Sequence, residues 1–291
     1  MHALVLHNDR IKPASDTFLA AGQVGFLNGW GVFSTIRVRD GVLFAFERHW
    51  VRLMRDAKLM RVPMPHSADW LHQQLLKLVD ANQAHNATLR MAIVRNKGGM
   101  FEGPDQARPF ELIGFTADLH PWGEFARLGV IENARHAASP FAGTKVTSWC
   151  QNLTWHEWAH EQGYDEVVLL NEHGEVSECT SANIFAVFGN QVVTPPIRSG
   201  CLPGITRELL LDTVSAQGLE ISERVLRLPD LEKADEVFIT STTRELMAVK
   251  FIEGIVLQQQ GSARDLLQQE FTKYAQMYVA TPSNEGKKGV A

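Results

Sequence analysis

The stretch from Asn171 to Leu210 constrains this chain most. Two apolar runs, Asn183–Phe188 and Gln191–Val193, are parted by Gly189-Asn190, a hairpin signal. Upstream, Glu178 lies between the run Asp165–Leu170 and the first of these strands. Downstream, Leu202-Pro203-Gly204-Ile205-Thr206-Arg207 reads as a turn that opens a helix. A helix start after glycine, with a hydroxyl in its first turn, presents free N–H groups and the positive end of the helix dipole. Such an end holds anions. A carboxylate together with an anion cup suits a phosphorylated ligand that also carries a basic nitrogen.

The remaining pattern is strand-rich. Residues 2–7, Val32–Arg39 and Val42–Phe44 read as strands, with Arg39-Asp40-Gly41 as a turn. Helical stripes follow: Trp50, Leu53, Ala57 and Met60 in Phe46–Met60, then Leu71, Leu75, Leu78 and Val79 in Ala68–Ala84. Strands Ala87–Val94 and Phe110–Thr116 flank a glycine-rich loop, Lys97–Pro104. Further on, Gln151–Gly163, Ile205–Gln217 and Ala263–Tyr278 read as helices, and residues 128–134, Glu220–Leu226, Glu236–Thr240 and Met247–Ile252 as strands. The alternation is not the regular strand–helix–strand of a doubly wound sheet, so the expected class is α+β in two domains. The proposed division is a small domain over 1–116, a linker over 117–127 carrying Pro121 and Gly123, a larger domain over 128–280, and a frayed tail over 281–291.

A net charge of -5 offers no global basic field for nucleic acid. Neither a dinucleotide Gly-x-Gly-x-x-Gly after a strand nor a P-loop is present. No apolar run approaches a membrane span, and the first residues do not read as a signal peptide, so a cytoplasmic protein is expected. Three cysteines, Cys150, Cys179 and Cys201, lack zinc spacing and fit a reducing compartment. No metal is expected.

The candidate chemical groups are spread along the chain. Lys145 has few charged neighbours and sits beside Thr144, Thr147, Ser148 and Trp149. It is either a solvated loop lysine or a desolvated amine able to form an imine with an aldehyde. Glu178 is either a turn acid or a partner for a pyridine nitrogen. Gly204-Ile205-Thr206 is either an ordinary helix start or a phosphate cup, and Ser241-Thr242-Thr243 supplies more hydroxyl and N–H groups. Arg52 is either on a solvated helix face or an anion ligand. Arg37 and Arg90, with Thr35 two residues before Arg37, mark strands able to clamp a carboxylate.

Taken in order, Arg52, Lys145, Glu178, Leu202–Arg207 and Thr242 resemble the fold-type IV, or class IV, pyridoxal-phosphate enzymes. Among these are branched-chain aminotransferases, D-amino-acid aminotransferases and 4-amino-4-deoxychorismate lyases. The most specific stretches are Glu175–Phe185, Thr194-Pro195-Pro196, Leu202–Arg207 and Ala234-Asp235-Glu236-Val237-Phe238. The resemblance implies pyridoxal 5'-phosphate held between two α+β domains, usually in a homodimer. It implies that Lys145 bonds the cofactor and moves protons, and that Glu178 pairs with its ring nitrogen. Leu202 would pack on the ring. Arg52, Gly204, Ile205, Thr206, Ser241 and Thr242 would hold the phosphate, leaving Arg37, Arg90, Thr35 and Thr243 to the substrate. The first half, with Phe33-Ser34-Thr35-x-Arg37, leans toward the lyase. The second half, Thr194–Glu245, is nearer the branched-chain enzymes. The expectation is an aminotransferase acting on an amino acid and a 2-oxo acid, with the lyase as the alternative.

Overall fold

Alternating burial along two long strands explains how one sheet can carry both a core and a cavity wall. The computed structural model describes residues 1–16, 23–64, 67–99, 108–258 and 260–281. In chain order come β1 (Leu4–His7), β2 (Arg10–Pro13), α1 (Val24–Leu27), β3 (Gly31–Arg39), β4 (Val42–Leu43), α2 (Phe46–Leu59), α3 (Ala68–Ala81), β5 (Ala87–Arg95) and β6 (Phe110–Ala117). These strands form a six-stranded antiparallel sheet in the order β2-β1-β6-β5-β3-β4. On β3 and β5, Val32, Ile36, Val38, Leu89, Met91 and Ile93 face a core shared with α2 and α3. The intervening Phe33, Thr35 and Arg90 face the other way.

After residues 118–124 come β7 (Phe125–Arg135), α4 (Cys150–Glu161), β8 (Glu166–Asn171), β9 (Val176–Cys179), β10 (Asn183–Phe188), β11 (Gln191–Thr194), α5 (Ile205–Asp212), β12 (Glu220–Glu223), α6 (Leu228–Lys233), β13 (Glu236–Ser241), β14 (Glu245–Ile252) and α7 (Ala263–Ala280). Their eight strands run β12-β11-β10-β13-β14-β7-β8-β9. The sheet is mixed: β11/β12, β14/β7 and β7/β8 are parallel. Phe185 and Phe238 pair across β10 and β13 and stack with centroids 5.0 Å apart, under α5 and α7. Phe44, from the first sheet's β4–α2 turn, inserts among Phe271, Tyr274 and Tyr278 of α7 and so joins the two halves.

Several expected elements change. α3 stops at Ala81 because Asn82 caps it and Gln83 turns left-handed. α5 stops at Asp212, and Val214 and Ala216 instead pack into the core. The strand expected over Glu220–Leu226 gives way after Glu223, and α6 follows, with Pro229 in its first turn and Asp230 bonding back to the Arg227 N–H. Glu178 is not a turn acid: it sits inside the short strand β9. Of the frayed tail expected over 281–291, all but Thr281 lies outside the described residues, as does most of the glycine-rich loop. No helix among the described residues is long and apolar enough to cross a membrane.

Truncating the stacked pair tests this core. Phe185→Ala removes a fully buried ring and is expected to cost about 3–5 kcal/mol. The measurement is a lower denaturant midpoint at unchanged m-value.

Candidate active site

The open face of the first sheet meets the loops of the second around a cavity of about 570 Å³, within the usual range for small-molecule sites. Lys145 lies on its wall. Its backbone is fixed on both sides: Phe33 N–H donates to the Lys145 carbonyl at 3.1 Å, and Lys145 N–H donates to Asp56 Oδ2 at 3.0 Å. Val146 bridges to Val32 of β3. Gly143, two residues earlier, has a φ of +69°, and a side chain there would strike the Cys201 carbonyl. The Lys145 ammonium lies 4.4 Å from the Phe33 ring centroid and 5.8 Å from that of Trp149. Burial, helped by Arg52 and Arg90 and opposed by Glu178 and Asp56, brings its pKa down to about 7. A lysine in this state is a usable nucleophile and base near neutral pH.

One face of α2 explains the cluster beneath. His49, Arg52 and Asp56 recur at helical spacing and are all buried. Arg52 Nη1 donates to the Pro203 carbonyl at 3.1 Å, and Nη2 to Ser34 Oγ at 3.3 Å. With Arg52 donating to Ser34 Oγ, a Ser34 proton turned to His49 Nδ1, 2.8 Å away, completes the chain. Burial, then Arg52 and Lys145, push His49 well below its ordinary pKa. Arg52 is lowered to about 10 by burial and stays cationic. It sits beside the start of α5, whose first N–H groups have no helical partner. A Cβ on Gly204 would overlap Asn183 Oδ1 and push that side chain aside. Asn183 in turn donates to the Leu202 carbonyl at 2.8 Å. Ser241 and Thr242 line the same cavity. A guanidinium, unpaired N–H groups and two hydroxyls match a phosphate.

Across the cavity, both oxygens of Glu178 are engaged: Arg135 Nε donates to Oε1 at 3.0 Å, and Leu202 N–H to Oε2 at 2.9 Å. Behind it, Glu166 is fully buried. It accepts from the backbone and hydroxyl of Thr180 and of Ser181, and pairs with Arg244 at 3.5 Å. Arg244 lies 3.8 Å from the Trp122 ring centroid. The turn after β9 and the turn before β14 are thereby tied to one carboxylate.

The comparisons with known proteins agree with this site. A model of the amino-transferase class IV family matches residues 31–252. The chain belongs to the class IV aminotransferases. These are enzymes that use pyridoxal 5'-phosphate, and the cavity has the donor set that this cofactor requires. The branched-chain-amino-acid aminotransferase of Escherichia coli K12 is 29% identical over 246 residues, 78% of this chain and 77% of that one. The D-alanine aminotransferase of Bacillus licheniformis is 29% identical over 251 residues, 86% and 88%. A solved structure of the E. coli branched-chain enzyme matches with a TM-score of 0.85 at 27% identity, covering 99% of this chain and 98% of that one.

Of the residues singled out in this aminotransferase sequence, Lys145, Arg52, Glu178, Leu202, Gly204, Ile205, Thr206, Ser241, Thr242, Thr243, Thr35 and Arg90 all line the cavity. Arg52 is buried rather than solvated. Arg37 is the exception. It follows Thr35 on the same strand face, but lies beyond the cavity, where Arg39 and Glu245 act on it. His49, Asp56, Arg135, Glu166 and Arg244 were not foreseen. The spacing of His49, Arg52 and Asp56 on α2 was the available signal for two of them.

The lysine carries a pH prediction. Protonated below its pKa of about 7 and neutral above it, Lys145 should take up added pyridoxal phosphate at a rate that rises through pH 7. Stopped-flow absorbance of the cofactor-free enzyme measures the profile. A rate set by an ordinary lysine would instead climb toward pH 10.

Proposed function

We propose that this enzyme moves an amino group between an amino acid and a 2-oxo acid, with an apolar, branched-chain-like donor. The supporting observation is that Lys145 stands beside an apolar wall, Phe33 and Trp149, and beside the guanidinium of Arg90. Arg90 stacks 4.0 Å from the Phe33 centroid, and burial lowers its pKa. A substrate can set its side chain on the rings and an anionic group on Arg90 or on the Thr242-Thr243 backbone.

Pyridoxal phosphate, when bound, supplies the electron sink. The chain does the rest. Arg52, the Ile205 and Thr206 N–H groups and the Ser241 and Thr242 hydroxyls would hold the phosphate. Gly204 leaves the cup open, and Leu202 would pack on the ring. Glu178, steadied by Arg135 and the Leu202 N–H, would pair with the ring nitrogen. Lys145 Nζ would hold the cofactor covalently at rest; freed when the substrate's amine takes its place, it would carry the substrate's α-proton. Thr35 borders the substrate. We read the working unit as a homodimer, as the resemblance implies, and the composition and cysteine usage as those of a cytoplasmic protein. Sedimentation at twice the chain mass is expected.

Lys145→Ala should lower amino transfer by at least ~10²–10⁴-fold, the usual worth of a positioned proton carrier. Glu178→Gln should lower kcat more than KM. The substrate class is read by offering branched-chain L-amino acids and D-alanine, each with 2-oxoglutarate, and separately 4-amino-4-deoxychorismate. Amino transfer from a branched-chain donor is expected. Pyruvate release from the chorismate compound without any amino transfer would replace this reading with the lyase.

A further inference from the structure

A second cluster lies outside the cavity, on α4. The helix carries His156-Glu157-Trp158-Ala159-His160, two histidines one turn apart. Their Nε2 atoms are 3.2 Å apart, and the ring centroids 4.5 Å, with planes at 87°. Zinc–imidazole bonds are ~2.0–2.1 Å, so two nitrogens on one ion lie about 2.9 Å apart at a right angle and about 3.3 Å apart at a tetrahedral angle. The observed spacing falls between these limits. Without an ion the two nitrogens share a hydrogen bond at this distance, which an ion bound by both would replace.

We propose that His156 and His160 form a two-histidine site for a transition-metal ion of the Zn²⁺, Ni²⁺ or Cu²⁺ class. Imidazole selects these ions over Mg²⁺ and Ca²⁺, which prefer oxygen. The helix is already oriented for the site: Ala159 is buried against Val167 and Leu169 of β8, which turns His160 to solvent and leaves His156 half-buried at its edge. An ion can enter without opening the fold. Among the described residues, no group of three His, Cys, Asp or Glu side chains is placed to hold a metal. Water therefore completes the coordination. The spacing matches the two-histidine helix of zinc proteases, but catalytic zinc usually takes three protein ligands. The assignment is binding, not hydrolysis.

The site bears on the cavity through its own helix. In the first turn of α4, Asn152 Oδ1 accepts from Arg135 Nη2 at 3.3 Å, and Asn152 Nδ2 donates to the Thr180 carbonyl at 2.5 Å. Cross-linking the last turn stiffens the element that backs the Arg135–Glu178 pair. This inference does not depend on which amino donor the enzyme uses.

The test is calorimetric titration of untagged holoenzyme with ZnCl₂, NiCl₂ and CuSO₄. One equivalent of each should bind, Cu²⁺ most tightly, and the melting temperature should rise by a few degrees at saturation. MgCl₂ should give neither effect. His160→Ala, at an exposed position, should fold and keep its metal-free amino-transfer rate while binding weakens at least tenfold. His156→Gln should do the same to binding, and Glu157→Ala should leave it unchanged. Unaltered binding in His160→Ala would overturn the proposal, as would the absence of a one-equivalent site in the wild-type enzyme. If His156→Gln fails to fold, His160→Gln serves as the second variant, with the same expected loss.

Discussion

A single buried carboxylate holds the architecture of this site together. Glu166, on β8, accepts hydrogen bonds from Thr180 and Ser181 and pairs with Arg244. Those partners belong to two turns that are far apart in sequence, and both line the cavity. A buried acid with this many donors is satisfied as a set. Removing one partner leaves charge stranded in a poor dielectric, at a cost of several kcal/mol. The turns therefore cannot drift independently. Glu178, one residue from the first turn, inherits that rigidity.

The second constraint is the polar face of α2. A helix that packs on a sheet normally buries apolar side chains, and Leu53 and Ala57 do so here. Arg52 and Asp56 are buried beside them because each has work across the boundary between the two sheets, and His49 because it bonds Ser34 beneath them. Arg52 holds the Pro203 carbonyl, Asp56 holds the Lys145 backbone, and His49 completes the chain through Ser34. The same helix thus sets the phosphate cup and the lysine. It also supplies the cationic field that, together with desolvation, lowers the lysine pKa. Anion binding and amine reactivity are coupled through one element.

Two in-strand arginines illustrate where sequence reading ends. Arg37 and Arg90 looked equivalent, and alternation places a residue on a face. It does not say how far along that face a neighbouring loop closes over the sheet. Pairing sets Arg90 opposite Thr35 and Arg37 opposite Thr88, one step further out. Only the first pair borders the cavity. Strand β9 was missed for a related reason. Val176-Ser177-Glu178-Cys179 is four residues long and half polar, yet all four are buried because β8 and the turn after β9 enclose them. Local pattern cannot express that enclosure.

The chain itself already held the strand alternation, the stripes of α2 and α3, and the Leu202–Arg207 turn that opens α5. The order of Arg52, Lys145, Glu178 and Thr242 was enough to point to the family. These are local or linear properties, set by backbone preference and side-chain period. Folding decided the rest: the Arg135–Glu178 pair across 43 positions, Glu166 with Arg244 across 78, and the Asp56 grip on Lys145 across 89. Burial made Lys145 reactive, and burial is a property of the assembled walls, which no single stretch of the chain contains.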